Sequence, residues 1–350
     1  MIYVHIPFCK SFCTYCAFYS EICSDKVQKL FMSSLEAEIE ARRDEINAVA
    51  GGTRTLYFGG GTPSVLPVSS IRALADRLDA GPYEEFTVEV NPDDVDDSYA
   101  AGLAAAGVTR VSMGVQSFDD GILKWMNRRH TAEGALKAFD SLVRAGIKDI
   151  SIDLIFGISL LSDDMWTATL DKALALRPQH ISAYQLSVET DSALDGMVRS
   201  GRYREADDSV CRRQYDLLCE RLQAAGYHHY EISNFALPGH EAVHNSAYWK
   251  RVPYIGLGPG AHSFDGSVRS WNSCELRDWK REGETLSEEE ALEETVMLSL
   301  RTDRGVEASL LDRDKAVRML ERGLLVWQDG RLRIPEEHFF VSDDIVRELI

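Results

Sequence analysis

Three cysteines, Cys9, Cys13 and Cys16, stand within eight positions, although the whole chain of 350 residues has only seven. Thiolates spaced CxxxCxxC on one tight loop are soft ligands suited to zinc or to an iron–sulfur cluster. A structural zinc site closes with four ligands, and no well-spaced histidine or second cysteine pair completes one nearby. A four-iron cluster also normally takes four cysteines. With three, one iron stays open to a non-protein ligand, which suits a reactive centre better than a passive one. Reduced thiols buried without a metal are the plain alternative, common for isolated cysteines and less so for three on one aromatic-rich loop.

Other polar residues fall where strand-like runs end. Gly59-Gly60-Gly61-Thr62-Pro63 follows one such run; without side chains, its backbone can approach a ligand and offer N–H and C=O groups. Glu89 closes Val88-Glu89-Val90, where a carboxylate can accept from ribose hydroxyls or an amino group, and Gln116 closes Gly114-Val115-Gln116. Asp153 lies inside the apolar run Ser151-Ile152-Asp153-Leu154-Ile155. A charge there is costly to bury alone, so it needs a partner or a ligand. Arg128 is a candidate for that partner or for holding a ligand carboxylate; its plainer reading is a surface helix residue.

The elements that must position these residues alternate. Strands are predicted over 2–6, 55–58, 86–90, 110–115, 149–155 and 180–186, with helices over 25–46, 69–78, 96–106, 131–145 and 163–176. Near-continuous apolar strands separated by helices indicate a parallel sheet covered on its faces. Six units are two short of a closed eight-fold barrel, so the expected fold is α/β: a partial (β/α)6 TIM-type barrel with a small α-rich C-terminal domain. The expected division is a barrel over 1–230, a Gly/Pro/aromatic connecting region over 231–280, and the α-rich domain over 281–350. In such folds chemistry belongs at the carboxyl ends of the strands.

CxxxCxxC directly after a first strand, with Tyr15 before the third cysteine, resembles the radical S-adenosylmethionine (SAM) superfamily. The resemblance implies that Cys9, Cys13 and Cys16 hold a 4Fe–4S cluster whose open iron is chelated by the amino and carboxylate groups of SAM. The order of the strand-end residues is similar to that of the oxygen-independent coproporphyrinogen III oxidase-like family over essentially the whole chain. It implies a SAM site lined by Tyr3, Tyr15, Gly60, Gly61, Thr62, Glu89, Gln116, Arg128 and Asp153. One departure is Gly157-Ile158-Ser159-Leu160-Leu161, where that family usually has Gly-Leu-Pro-Gly-Gln.

Two branches of that family differ in function. The porphyrinogen-oxidising branch reads CxxxCxxCxC, and here the last position is Phe18; that branch also has an N-terminal extension before the first strand. The other branch, the HemW-type heme chaperones, has HNxxYW, and this chain reads His244-Asn245-Ser246-Ala247-Tyr248-Trp249. Resemblance to that branch implies binding of heme, with His244 as a ligand to its iron, and delivery to acceptor hemoproteins. A low-potential electron donor such as flavodoxin or ferredoxin would serve the cluster, and a homodimer is an open alternative. The rival expectation is oxidative decarboxylation of coproporphyrinogen III in porphyrin biosynthesis. His228, His229 and His262 read as structural or surface histidines, Cys211 and Cys219 as core, and the role of Cys23 stays open.

Net charge is −18, a surface that repels phosphate backbones and argues against nucleic acid as a partner. The longest uncharged run, 55–71, is broken by three glycines and two prolines and cannot span a membrane. No signal peptide is expected, and an odd cysteine count fits a reducing cytoplasm.

Overall fold

A computed structural model describes residues 1–350, the side chain of Ala50 excepted. The chain opens with β1 (Ile2–Ile6), β2 (Phe8–Cys9), β3 (Glu21–Ile22), α1 (Asp25–Ala41) and α2 (Arg43–Ala50). Then come β4 (Thr55–Gly60), α3 (Val68–Leu78), β5 (Glu85–Val90), α4 (Asp97–Ala105), β6 (Arg110–Gln116), α5 (Asp120–Trp125) and α6 (Ala132–Ala145). The alternation continues through β7 (Asp149–Phe156), α7 (Asp163–Leu176), β8 (His180–Gln185), α8 (Ala193–Arg199) and α9 (Asp208–Ala224). β9 (His228–Glu231), β10 (Asn234–Ala236), α10 (Val243–Trp249) and β11 (Ile255–Leu257) follow, before a meander of β12 (His262–Phe264), β13 (Val268–Asn272) and β14 (Arg281–Thr285). The chain closes with α11 (Glu288–Leu300), α12 (Arg313–Glu321), β15 (Val326–Gln328), β16 (Arg331–Arg333) and α13 (Ser342–Leu349).

Nine strands form one sheet in the order β11-β1-β4-β5-β6-β7-β8-β10-β9. The run from β1 through β8 is parallel throughout, which gives the six strand–helix units of a partial barrel. Its strands are apolar because helices cover them: Val4, Leu56, Phe58, Val88, Val111, Ile152 and Leu154 are all fully buried. The helices answer with apolar stripes, as when α6 buries Ala135, Ala138, Phe139 and Leu142 at spacings of three and four. That helix is closed at both ends, by the Thr131 hydroxyl accepting from Gly134 N–H and by Gly146 at φ 78°.

Two expectations change. The helix predicted over 25–46 breaks at Arg42, whose backbone sits at φ −110°, ψ 21°. Its guanidinium turns inward, donating to Glu38 Oε1 (3.0 Å), Gly256 O (2.7 Å) and Ser263 Oγ (3.1 Å). The Gly/Pro-rich region is more than a connector. Its β11 pairs in parallel with β1 and extends the sheet, and its meander packs beside that edge. The C-terminal region is helical apart from the hairpin β15–β16. Among the described residues no helix is long and apolar enough to cross a membrane.

Candidate functional site

Cys9 lies three residues past β1, in the short strand β2 that pairs in parallel with β3. That pairing clamps the intervening loop: Glu21 N–H donates to Pro7 O (2.6 Å) and Cys23 N–H to Cys9 O (3.1 Å). The loop is seated on the end of α5. Thr14 N–H donates to Met126 O (3.0 Å), its hydroxyl to Trp125 O (2.9 Å), and Asn127 Nδ2 to Phe12 O (2.7 Å). Cys16 N–H donates to Cys13 O (3.3 Å), making a tight turn between the second and third thiols. All three cysteines are free and line one cavity of about 790 Å³. Burial pushes the thiols of Cys9 and Cys16 up, and the Arg128 charge pulls the other way. A bound cationic centre would reverse the effect of burial and hold them as thiolates.

The facing wall comes from the carboxyl ends of β4 to β8. At the end of β4, Gly60 has φ 114°, and a Cβ there would meet the His5 ring at 2.6 Å. One at Gly61 would meet Phe8 O at 2.8 Å. The two glycines therefore let the β1 and β4 ends close beneath the cysteine loop. Thr62, also in the lining, places its hydroxyl 3.5 Å from Cys9 Sγ.

Glu89 accepts from Tyr57 OH (2.7 Å) and Gly60 N–H (3.1 Å). Burial, offset by the Tyr57 bond and reinforced by Asp153, raises its carboxyl to about 7. Asp153 is likewise pushed up by burial, and its carboxylate accepts from Ser112 Oγ at 3.1 Å. Gln116 ends β6 at a bulge with φ 65°, which turns it to the cavity. Tyr15 lines the same space, its hydroxyl raised by burial.

Arg128 is not a surface residue, and it acts on Asp153 through its charge rather than through a direct bond. Its Nη2 donates to Asn91 Oδ1 and Gly114 O, both at 2.6 Å, and its Nη1 lies 3.3 Å from Cys13 Sγ. Arg128 lines the cavity, while its Nε is buried with no partner. Asp153 is served by serine hydroxyls, because Ser112 on the neighbouring strand β6 reaches it first.

Tyr3 stands behind the cavity wall, next to Glu89. It occupies the second position of β1, below the strand's carboxyl end, where its hydroxyl meets His5 Nδ1 (3.0 Å) and its ring lies under Gly59. Asn91, Ser112, Tyr184, Gln185 and Glu189, none of them singled out by the sequence, also line the cavity. Tyr184 and Gln185 end the sixth parallel strand, so the rule of chemistry at strand ends reaches them as well.

His244 lies away from the cysteine cavity. The HNxxYW segment is α10, and it plugs the opposite, amino end of the strands. Val243 and His244 N–H groups donate to Glu85 (2.7 and 3.1 Å), the first residue of β5. His244 Nδ1 bonds Thr55 Oγ1 (2.7 Å) at the start of β4, and Nε2 bonds Tyr248 OH (2.9 Å). The ring is 1% exposed, and burial depresses it to about 3. Both ring nitrogens are hydrogen-bonded in this arrangement.

Of the remaining cysteines and histidines, Cys211 is buried as expected, while Cys219 faces His229, whose Nδ1 bonds Glu336 (3.1 Å). Cys23 stands beside β3, outside the cavity wall.

The fit to an iron–sulfur cluster and SAM rests on these observations: three thiols on one cavity, two glycines in the same lining, and a guanidinium 3.3 Å from Cys13 Sγ.

Residues 3–173 match the Radical SAM superfamily model. The chain is 33% identical to a protein named heme chaperone HemW from Mycobacterium tuberculosis, over 100% of this chain and 94% of that one. It is 34% identical to a Lactococcus lactis protein of the same name, over 87% of this chain and 82% of that one. Among solved structures, Escherichia coli coproporphyrinogen III oxidase (HemN) superposes with a TM-score of 0.83 at 21% identity, over 99% of this chain and 89% of that one, a likeness of fold.

Proposed function

The chain belongs to the radical SAM superfamily and, within it, to the family of the heme chaperone HemW, and from this premise we propose that it binds a 4Fe–4S cluster, SAM and heme, and delivers heme to hemoproteins. The observation that carries the reading is the convergence of Cys9, Cys13 and Cys16 on one cavity with the glycine cradle and the strand-end carboxyls. In this reading the three thiols hold the cluster, which supplies one electron and an open iron for the amino-acid end of SAM. Residues 1–230 carry that site, 231–280 supply the plug that seals the amino end of the strands, and 281–350, from the last meander strand onward, form the α-rich C-terminal part.

The chain's own residues order the ligand. Arg128 spans from Cys13 to the ends of β5 and β6, a cation placed on the cavity and suited to a carboxylate. Glu89, with its proton held to about 7, and Asp153 give acceptors in a dry wall where hydrogen bonds are strong. Tyr15, Gly60, Gly61, Thr62 and Gln116 supply the remaining contacts, with Tyr3 supporting from below. A low-potential donor such as flavodoxin or ferredoxin would reduce the cluster through the exposed loop side, where Phe12 is 50% and Phe18 75% exposed.

The oxidase reading is supported by fold alone, and Phe18 stands where the oxidising branch has its fourth cysteine. A side-by-side assay on anaerobically reconstituted protein separates the two. The chaperone reading predicts stoichiometric heme binding, transfer to an apo-hemoprotein, and no conversion of coproporphyrinogen III with SAM and reductant. Robust protoporphyrinogen formation would replace it with the oxidase reading.

A further inference from the structure

Outside the cysteine cavity, we propose a zinc site built from Cys219, His229 and Glu336, which ties the C-terminal part of the chain to the barrel. One sulfur, one imidazole nitrogen and one carboxylate oxygen meet there, all within 4.8 Å of one another. None of the three residues lines the cysteine cavity. The mixed donor set suits zinc, which takes thiolate, imidazole and carboxylate together; magnesium and calcium favour oxygen alone.

The ligands come from three elements. Cys219 lies on α9, His229 on β9, and Glu336 opens the short turn Glu336–Val341 that follows the hairpin β15–β16. His229 Nδ1 stands between the other two donors, 3.1 Å from Glu336 Oε1 and 4.0 Å from Cys219 Sγ. Donor atoms around a tetrahedral zinc lie roughly 3.3–3.8 Å apart, given bonds of about 2.0–2.3 Å. The two spacings fall on either side of that range, so small rotations of the Cys219 and Glu336 side chains close the site.

The imidazole is already oriented for the task. Its ring stacks on Phe235, with centroids 4.0 Å apart and planes 17° from parallel, and meets the edge of Phe339 at 5.0 Å. Tyr215 OH, one turn before Cys219 on α9, lies 3.5 Å from Nε2. A partner on the outer nitrogen fixes the tautomer that leaves Nδ1 for a metal. The His229 side chain is 2% exposed and that of Glu336 41%, so an ion enters from the carboxylate side. Three protein ligands leave the fourth position to water, which makes this an exchangeable site rather than a closed one.

The test is equilibrium dialysis of the full-length, cluster-loaded protein against chelator-buffered zinc, with bound metal measured directly. Loading the cluster first keeps Cys9, Cys13 and Cys16 occupied. The site predicts one zinc per chain, and zinc should raise the urea midpoint because it binds only the folded chain. Glu336→Gln keeps an acceptor for the imidazole N–H but ligates poorly, which separates a metal site from a hydrogen-bonded trio. That variant and Cys219→Ser should each weaken zinc binding at least about tenfold and remove the rise in midpoint. Cys274→Ser, at an exposed position between β13 and β14, should change neither. No zinc retained by the unaltered protein, or unchanged affinity in either ligand variant, overturns the proposal.

Discussion

Glu89 ends β5 with its carboxyl buried, and burial, partly offset by the Tyr57 hydroxyl, places its titration at about 7. A folded pKa raised above the unfolded value near 4.5 means that the fold favours the protonated form. The stabilisation is full below 4.5 and is lost as pH rises through 7. The difference amounts to roughly 3 kcal/mol. Glu89→Gln should therefore gain stability relative to the unaltered chain between pH 5 and 8, measured by urea unfolding; parallel pH profiles would refute the assignment. At this scale the cysteine trio, the glycines, Glu89 and Asp153 were legible, because each is a residue type that an apolar strand or a tight loop tolerates only for a reason. Three side-chain assignments were not. The sequence places Tyr3 on a strand without giving its depth. It shows Arg128 and Asp153 as opposite charges, but not that serines reach Asp153 first. It shows His244 in a motif, but not that Thr55 and Tyr248 occupy both ring nitrogens.

Two elements hold the sheet's amino end and its edge. Within α10, the His244–Tyr248 bond satisfies two buried groups at once, so Tyr248→Phe should cost about 1–3 kcal/mol by leaving the imidazole nitrogen unpaired. Because burial depresses His244 to about 3, its contribution is present above pH 6.5 and lost as pH falls from there toward 3. Acid unfolding monitored between pH 7 and 4 should show that loss, and the imidazole should stay neutral at pH 5 by NMR. At the other edge, Arg42 interrupts what reads as one helix and pins β11 and β12 to α1. Breaking a buried charge pair leaves Glu38 uncompensated, so Arg42→Ala should cost about 3–5 kcal/mol in chemical unfolding; a loss under 1 kcal/mol would contradict that role. The break was invisible in the sequence because Arg is a good helix former, and two of its partners, Gly256 and Ser263, lie more than 200 residues away. The parallel strands were legible because their apolar runs are buried on both faces. The short strand β11 was not, since Ile255-Gly256-Leu257 is too brief to carry a period.

The whole molecule is an acidic partial barrel with one cavity at each end of its sheet: cysteines, glycines and carboxyls at the carboxyl end, cations and Trp249 at the other. Its net charge of −18 predicts no measurable retention on RNA or DNA at physiological salt, checked by a filter-binding titration. The account depends first on the carboxyl end. Its most direct test is iron and sulfide analysis, with EPR of the reduced protein before and after SAM, on anaerobically reconstituted chain and on its Cys9→Ala/Cys13→Ala/Cys16→Ala variant. The account predicts a four-iron cluster whose signal changes when SAM is added, and no cluster in the variant. A variant that keeps its iron and sulfide, or a cluster whose signal is blind to SAM, would contradict it.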